Sequence, residues 1–250
     1  MNLAEETLEP GVLRWTITNP RRRNALDPAS FAFIGRRAAE LRGEVVILTG
    51  EGDRIFSAGF DLTALPELAA SDPQTPPDTP LIAAAAAMSG ADATFIAALN
   101  GPAIGAGVEL AICCDLRLAC PGVTFQVPAG KLGVIYHAAG LARLHAAFGP
   151  GLVRRLILLG EAITADEALA VGAIARVVPQ DALADAALTA ARALRATSPP
   201  ALRAHRDLFR RLDRAPLPAD ALAAHQEARV AAYATTDLEA THRRALGRDT

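Results

Sequence analysis

Lysine is all but missing from this chain: Lys131 stands alone among 25 Lys plus Arg residues. An arginine bias of that size, with abundant alanine, looks like the imprint of a GC-rich genome. A run of arginines therefore carries less meaning here than usual. Cysteine is also scarce. Cys113, Cys114 and Cys120 are too few and too close together for a disulfide framework, and there is no CxxC pair. Buried, reduced thiols are expected, and no metal site is. Basic excess is missing too: the net charge is −2 and the pI near 6.2, which leaves no electrostatic footprint for nucleic acid. No apolar run is long enough for a membrane span, since Leu81–Met88 is short and alanine-rich. Met1–Pro10 is acidic, unlike a signal peptide. A cytoplasmic protein with neither membrane nor nucleic acid among its partners is expected. No repeat of fixed period is present.

What remains is a chain of 250 residues, 51% hydrophobic, long enough for one large domain or a domain with an appendage. Gly11–Thr18 alternates as a strand does. Asp27 is a suitable N-cap and Pro28 a suitable first residue for a helix to about Leu41. Val45–Thr49 reads as a strand buried on both faces, so crossover units are expected. Pro66–Pro80, with five prolines, reads as a mobile surface loop. Leu81–Met88 reads as a helix, Phe95–Leu99 as a buried strand, and Asp115–Ala119 and Thr124–Val127 as short strands. Helices follow near 140–148, 151–159 and 165–171, the last opened by a Thr164–Glu167 capping box, then an extended piece at Ala175–Pro179. From Asp181 the chain reads as helical, interrupted at Pro199–Pro200, Pro216 and Pro218. We place a boundary there: a mixed α/β body over 1–195 and a helical segment over 196–250.

The chemically suggestive stretch is Leu99 to Ala111. A buried strand delivers the backbone into the turn Asn100–Gly101–Pro102–Ala103–Ile104–Gly105–Ala106–Gly107, and an apolar helix begins there. Glycines allow positive φ and close approach to bare backbone. The free N–H groups of a first helical turn favour negative charge. Glu109, a lone carboxylate in an apolar run, sits just inside.

Several stretches, in order and in register, resemble the crotonase superfamily of enoyl-CoA hydratases and isomerases, from about Val12 to about Arg244. Asn19 to Leu26 resembles its first CoA-contacting loop. Val45 to Gly50 and Phe56 to Leu62 resemble a strand and the turn "GxGxxFSAGxDL". Asn100–Gly107 matches "NGxAxGxG", Cys114–Arg117 matches "CDxR", and Leu156–Ala175 resembles "LTGexisAxeAxxxGLv". The resemblance implies a spiral of ββα units with a C-terminal helical region used for trimerisation, as a trimer or a hexamer. It implies an acyl-CoA thioester as ligand, with coenzyme A as part of the substrate and no other cofactor. It implies that the N–H groups of Phe60 and Ala106 grip the thioester oxygen. Donors fixed in advance around a developing oxyanion are typically worth about 3–4 kcal/mol each. Gly59, Gly105, Pro128, Ala129 and Gly133 fall at substrate-contacting positions, and Ala25, Ala58, Asp61 and Leu62 where adenine and pantetheine lie. Asp61 reads equally well as a helix cap. Arg21 and Arg23 flank the CoA phosphate position, and guanidinium suits phosphate. Arg244–Arg248 lacks the aromatic and the lysine of a "FxxKR" contact.

Hydratases of this family hold a water between two glutamates. Glu109 falls on the first position. The second falls on Ala129, within Gln126–Val127–Pro128–Ala129, and is absent. Lys131, Tyr136 and His137 are nearby candidates for the pocket, or else plain loop residues. Three readings follow: a hydratase or isomerase working through Glu109; another chemistry at the same oxyanion site, such as decarboxylation, thioester hydrolysis or C–C cleavage; or a non-catalytic acyl-CoA binder.

Overall fold

The computed structural model describes residues 1–64, 75–212 and 219–233. Its strands are β1 Leu3–Glu9, β2 Val12–Ile17, β3 Ala25–Leu26, β4 Arg42–Gly50, β5 Gly59–Phe60, β6 Asp92–Leu99, β7 Ala103–Ile104, β8 Leu116–Ala119, β9 Thr124–Gln126, β10 Ile163–Thr164 and β11 Arg176–Val177. Its helices are α1 Pro28–Glu40, α2 Thr79–Gly90, α3 Ala106–Cys113, α4 Ala138–Arg154, α5 Ala165–Ala170, α6 Leu183–Arg195, α7 Pro199–Leu212 and α8 Ala219–Tyr233.

The order makes the ββα repeat visible. β2, β4, β6 and β8 each enter a main sheet, and each is followed by a short strand and then a helix. The main sheet runs β1-β2-β4-β6-β8-β11, parallel except for the β1–β2 hairpin. The short strands form a second layer, in which β3 pairs with β5 and β7 with β9, with a Ser57–Ala103 bridge between the pairs. The ββα spiral expected from the sequence is present. β4 and β6 are buried through their middles, as runs of Val, Ile, Leu and Ala covered on both faces should be. Trp15 is wholly buried between Phe33 and Phe95, and its Nε1 donates to Glu5 at 2.8 Å.

Local signals settle several boundaries. Asp27 accepts the Ser30 N–H at 2.8 Å, and Pro28 opens α1. Thr164 and Glu167 form the expected capping box. The two helices read at 140–148 and 151–159 are α4, broken by Gly149 at φ 69° before Pro150, and a π-helical turn over Arg155–Leu159.

Other expectations need correction. β1 carries no strand pattern, since Ala-Glu-Glu-Thr-Leu-Glu looks like solvated loop, but charge on an edge strand is how sheets avoid pairing with strangers. The loop expected over Pro66–Pro80 ends early, because Thr79 and Pro80 are the first residues of α2. Residues 65–74 lie outside the described residues, as does Arg244–Arg248. Pro199–Pro200 starts α7 rather than merely interrupting helix, since a missing N–H costs nothing in a first turn. No described helix is long and apolar enough to cross a membrane.

Candidate active site

The sequence motifs divide into those that build the turns and those that present chemistry. Asn100 is buried; its side chain accepts the Gly50 N–H and donates to the Gly50 and Gly52 carbonyls, tying the ends of β4 and β6 together. A Cβ on Gly101 would lie 2.6 Å from the Ile55 nitrogen. Asp115 accepts the Phe95 N–H and pairs with Arg206 on α7, while Arg117 donates to the Cys114 and Ala173 carbonyls. These residues hold the frame.

Two backbone N–H groups without a partner in strand or helix lie on neighbouring segments where the spiral layers touch. In β5 the Asp61 N–H bonds the Leu26 carbonyl of β3, so the alternating Phe60 N–H faces away from β3. The Phe60 ring packs at 5.2 Å on Phe31. Ala106 is the first residue of α3, and its N–H has no intrahelical partner. The backbones approach so closely that a Cβ on Gly59 would lie 2.8 Å from the Ala106 nitrogen and 2.5 Å from the Ile104 oxygen. Gly59 has φ 88° and Gly105 φ 54°, ψ −117°, conformations that fit glycine. Gly105 also donates to the Gln126 carbonyl.

One helical turn beyond Ala106, about 4.5 Å along the axis, stands Glu109. It is completely buried. Tyr136 Oη donates to Oε2 at 2.7 Å, Arg143 donates to Oε1 at 2.5 Å, and His137 Nε2 lies 2.8 Å and 2.9 Å from the two oxygens. His137 also caps α4: its Nδ1 accepts the Gly140 N–H at 3.2 Å. That assigns the proton to Nε2 and makes His137 a donor to Glu109. Burial pushes the Glu109 carboxyl up, but His137, Arg143 and Tyr136 outweigh it, and the group lies below the usual carboxylate range. Burial and the neighbouring carboxylate push the Tyr136 phenol well above its usual range, so it holds its proton. Cys113 is pushed by burial up to about 11, which leaves no thiolate nucleophile beside the cluster.

The structure brings Glu109, Tyr136 and His137 together and leaves other candidates apart. Lys131 is exposed and donates to the Gly160 carbonyl at 3.3 Å, so it serves a turn rather than the cluster. Gly133 is the exposed left-handed end of the Gly130–Leu132 turn. Pro128 and Ala129 receive the backbone N–H groups of that turn, and Ala129 brings no polar side-chain atom. Asp61 caps the Leu62–Ala64 turn through the Thr63 N–H at 3.0 Å and pairs with Arg22. Its capping role is the one observed. Ala58 donates to the Arg23 carbonyl, and Ala25 pairs with Gly59. Of the three arginines, Arg22 is tied to Asp61 and Thr63, whereas Arg21 and Arg23 are exposed beside the site. Arg23 and Asn24 both have positive φ, at 54° and 55°, strain that a functional loop tolerates.

Arg143 escaped the sequence reading because one arginine among so many carries no signal. The only trace was its place two turns into the helix that His137 caps. Gly140 has a legible reason only in three dimensions: a Cβ there would lie 2.6 Å from His137 Nε2 and 2.7 Å from Tyr136 Cε1. The two rings stack with centroids 5.3 Å apart. Helix propensity favours Gly140→Ala by about 1 kcal/mol. Overpacking typically costs about 1–3 kcal/mol. We therefore expect thermal denaturation of Gly140→Ala below that of the wild type; a raised midpoint would mean the rings have room.

Residues 7–243 match the enoyl-CoA hydratase/isomerase family. The chain belongs to that family, and with it to the crotonase superfamily of acyl-CoA enzymes. It is 32% identical over 210 residues to a carnitinyl-CoA dehydratase of Salmonella paratyphi B, covering 82% of this chain and 79% of the relative. Its fold matches a methylmalonyl-CoA decarboxylase in complex with 2-nitronate-propionyl-CoA with a TM-score of 0.87 at 25% identity, over 100% of this chain and 97% of that one. It also matches a monofunctional enoyl-CoA isomerase from M. smegmatis with a TM-score of 0.70 at 29% identity, over 86% of this chain and 96% of that one.

Proposed function

We propose that this protein holds a thioester enolate of an acyl-CoA between the Phe60 and Ala106 N–H groups and delivers a proton to its α-carbon from Tyr136. The observation that carries this reading is the saturation of Glu109. Both its oxygens are taken by three donor side chains, and its affinity for a proton is lowered. A carboxylate in that state anchors; it does not strip a proton from carbon or water. Tyr136 is half-buried and keeps its proton; its one O–H rests on Glu109, a turn of α3 from the Ala106 N–H, and swings from that oxygen to the α-carbon for the transfer. A thioester enolate carbon is far more basic than a phenolate, so transfer from Tyr136 is downhill. The enolate electron pair forms the new Cα–H bond, the thioester carbonyl re-forms, and solvent returns the phenol proton.

Decarboxylation of a malonyl-type thioester suits this machinery best. The Cα–carboxylate bond breaks, CO2 leaves, and the bonding pair becomes the enolate, with no base required. The likeness to methylmalonyl-CoA decarboxylase over the full chain supports it. A second reading, dehydration or hydration at Cβ, is favoured by the relatives named carnitinyl-CoA dehydratase. It needs a base that neither Ala129 nor the saturated Glu109 provides. Arg21 and Arg23 are assigned to CoA phosphate, and Ala25, Ala58 and Leu62 to its adenine and pantetheine. No cofactor other than coenzyme A is proposed, and assembly as a trimer or hexamer in the cytoplasm is part of the same proposal.

The test is a panel of methylmalonyl-CoA, carnitinyl-CoA and crotonyl-CoA with the wild type and Tyr136→Phe. We expect CO2 release from methylmalonyl-CoA, and a loss in Tyr136→Phe of about 10²-fold in kcat, the scale of a positioned proton donor. Turnover confined to crotonyl-CoA or carnitinyl-CoA would favour the second reading. Full kcat in a folded Tyr136→Phe protein would remove Tyr136 from the chemistry.

A further inference from the structure

The C-terminal helix α8 has an unusual inward face. Of its described side chains, only His225, Arg229 and Val230 are turned from solvent, and Arg229 is 2% exposed. Leu222 on the same helix is exposed. A helix docked for stability alone buries leucines and leaves arginine outside. Here the polar groups go in, and His225 and Arg229 both reach the Ile135–Tyr136 backbone. His225 Nε2 donates to the Tyr136 carbonyl at 2.7 Å, and Arg229 Nε donates to the Ile135 carbonyl at 3.3 Å. The Arg229 guanidinium reaches both oxygens of Asp78 at 2.7 Å and Gln226 at 2.8 Å. Asp78 immediately precedes α2, and its side chain makes no cap bond there. Burial pushes the Asp78 carboxyl up in spite of Arg229, so the pair is a costly one to bury.

The Ile135–Tyr136 segment therefore lies between two helices. From α3, Glu109 holds the Tyr136 hydroxyl; from α8, His225 and Arg229 hold the backbone on either side of the Tyr136 Cα. Gripped at both ends, the phenol has one direction in which to point. We infer that His225 and Arg229 are positioning residues for Tyr136, so that α8 completes the catalytic pocket of its own chain in addition to any part the C-terminal segment plays in assembly. The inference rests on Tyr136 being the proton donor.

Four variants test it on methylmalonyl-CoA, with crotonyl-CoA run alongside: His225→Ala, His225→Gln, Tyr136→Phe, and His225→Ala combined with Tyr136→Phe. His225→Ala is expected to lower kcat at least tenfold and to leave KM within about twofold. His225→Gln, which returns an N–H near the place of Nε2, is expected to recover most of that loss. In the Tyr136→Phe background His225→Ala is expected to change nothing further, since there is no phenol left to aim. A kcat for His225→Ala within twofold of wild type overturns the inference. So does the same tenfold drop repeated in the Tyr136→Phe background, which is what a purely structural helix gives, attached or detached. If Tyr136→Phe keeps full kcat, the reading of Tyr136 has failed and the positioning role falls with it. If Tyr136→Phe is impaired and His225→Ala is not, the positioning role alone is lost.

Discussion

Glu109→Gln is expected to lose stability before it loses anything else. The carboxylate accepts from Tyr136, His137 and Arg143 in a site with no exposure. An amide has one acceptor oxygen, and its NH2 has to face groups that are themselves donors. Arg143 is left without a counter-ion, and its side chain is only 22% exposed. Breaking a buried pair by removing one partner costs about 3–5 kcal/mol, a large part of the roughly 5–15 kcal/mol that hold a typical domain. For a chain of this length, about 3 kcal/mol corresponds to about 6–12 °C in Tm. The pH dependence has a fixed sign. The folded-state value lies below the ordinary 4.5, so the stabilisation is fully present above that pH and fades as pH falls through the depressed folded value. Melting the wild type and Glu109→Gln from pH 7 downward should show the gap narrowing below about 4.5. Equal midpoints at pH 7 would show that the three donors contribute nothing net. An isolated base would behave differently: its amide variant would stay stable and lose turnover only.

Gly59→Ala is the second large effect, and it acts on the N–H pair. Alanine at φ 88° is strained, and its methyl would sit 2.5 Å from the Ile104 oxygen and 2.8 Å from the Ala106 nitrogen. The β5 strand or the start of α3 has to move. Either motion pulls the Phe60 and Ala106 N–H groups apart, and removing one oxyanion donor costs about 10²–10³-fold in rate. We expect kcat on methylmalonyl-CoA to fall by at least that lower bound while free CoA, which carries no thioester oxygen, still binds. Isothermal titration with CoA and steady-state rates separate the two. A variant with undiminished kcat would show that the thioester oxygen lies elsewhere.

Much of this was legible in the order of residues. Asp27–Pro28 and Thr164–Glu167 announce helix starts because a cap is a local bond, made within one turn. β4 and β6 announce themselves as unbroken apolar runs because both their faces are covered. The glycine turns at 59 and 105 are legible because both need positive φ, and at 59 a second backbone leaves no room for a Cβ. The spiral fold and the Phe60 and Ala106 N–H pair were expected from the resemblance of these motifs, in order and register, to the crotonase superfamily.

The tertiary structure decided the surroundings of Glu109. The sequence marked Glu109 as a lone carboxylate and Ala129 as a missing partner, which described a hydratase with a part removed. Only folding shows that Glu109 is not waiting for that partner. Tyr136, His137 and Arg143 arrive from 27, 28 and 34 residues away, the first two side by side just before α4 and the third within it, and they donate to both its oxygens. His225 and Arg229, from the far end of the chain, fix the segment that carries Tyr136. A hydrogen bond has no signature in sequence when its partners are this distant, and in an arginine-rich chain Arg143 and Arg229 look like all the others. Local bonds and burial patterns are written along the chain; the state of a buried charge is set by whatever folding packs against it.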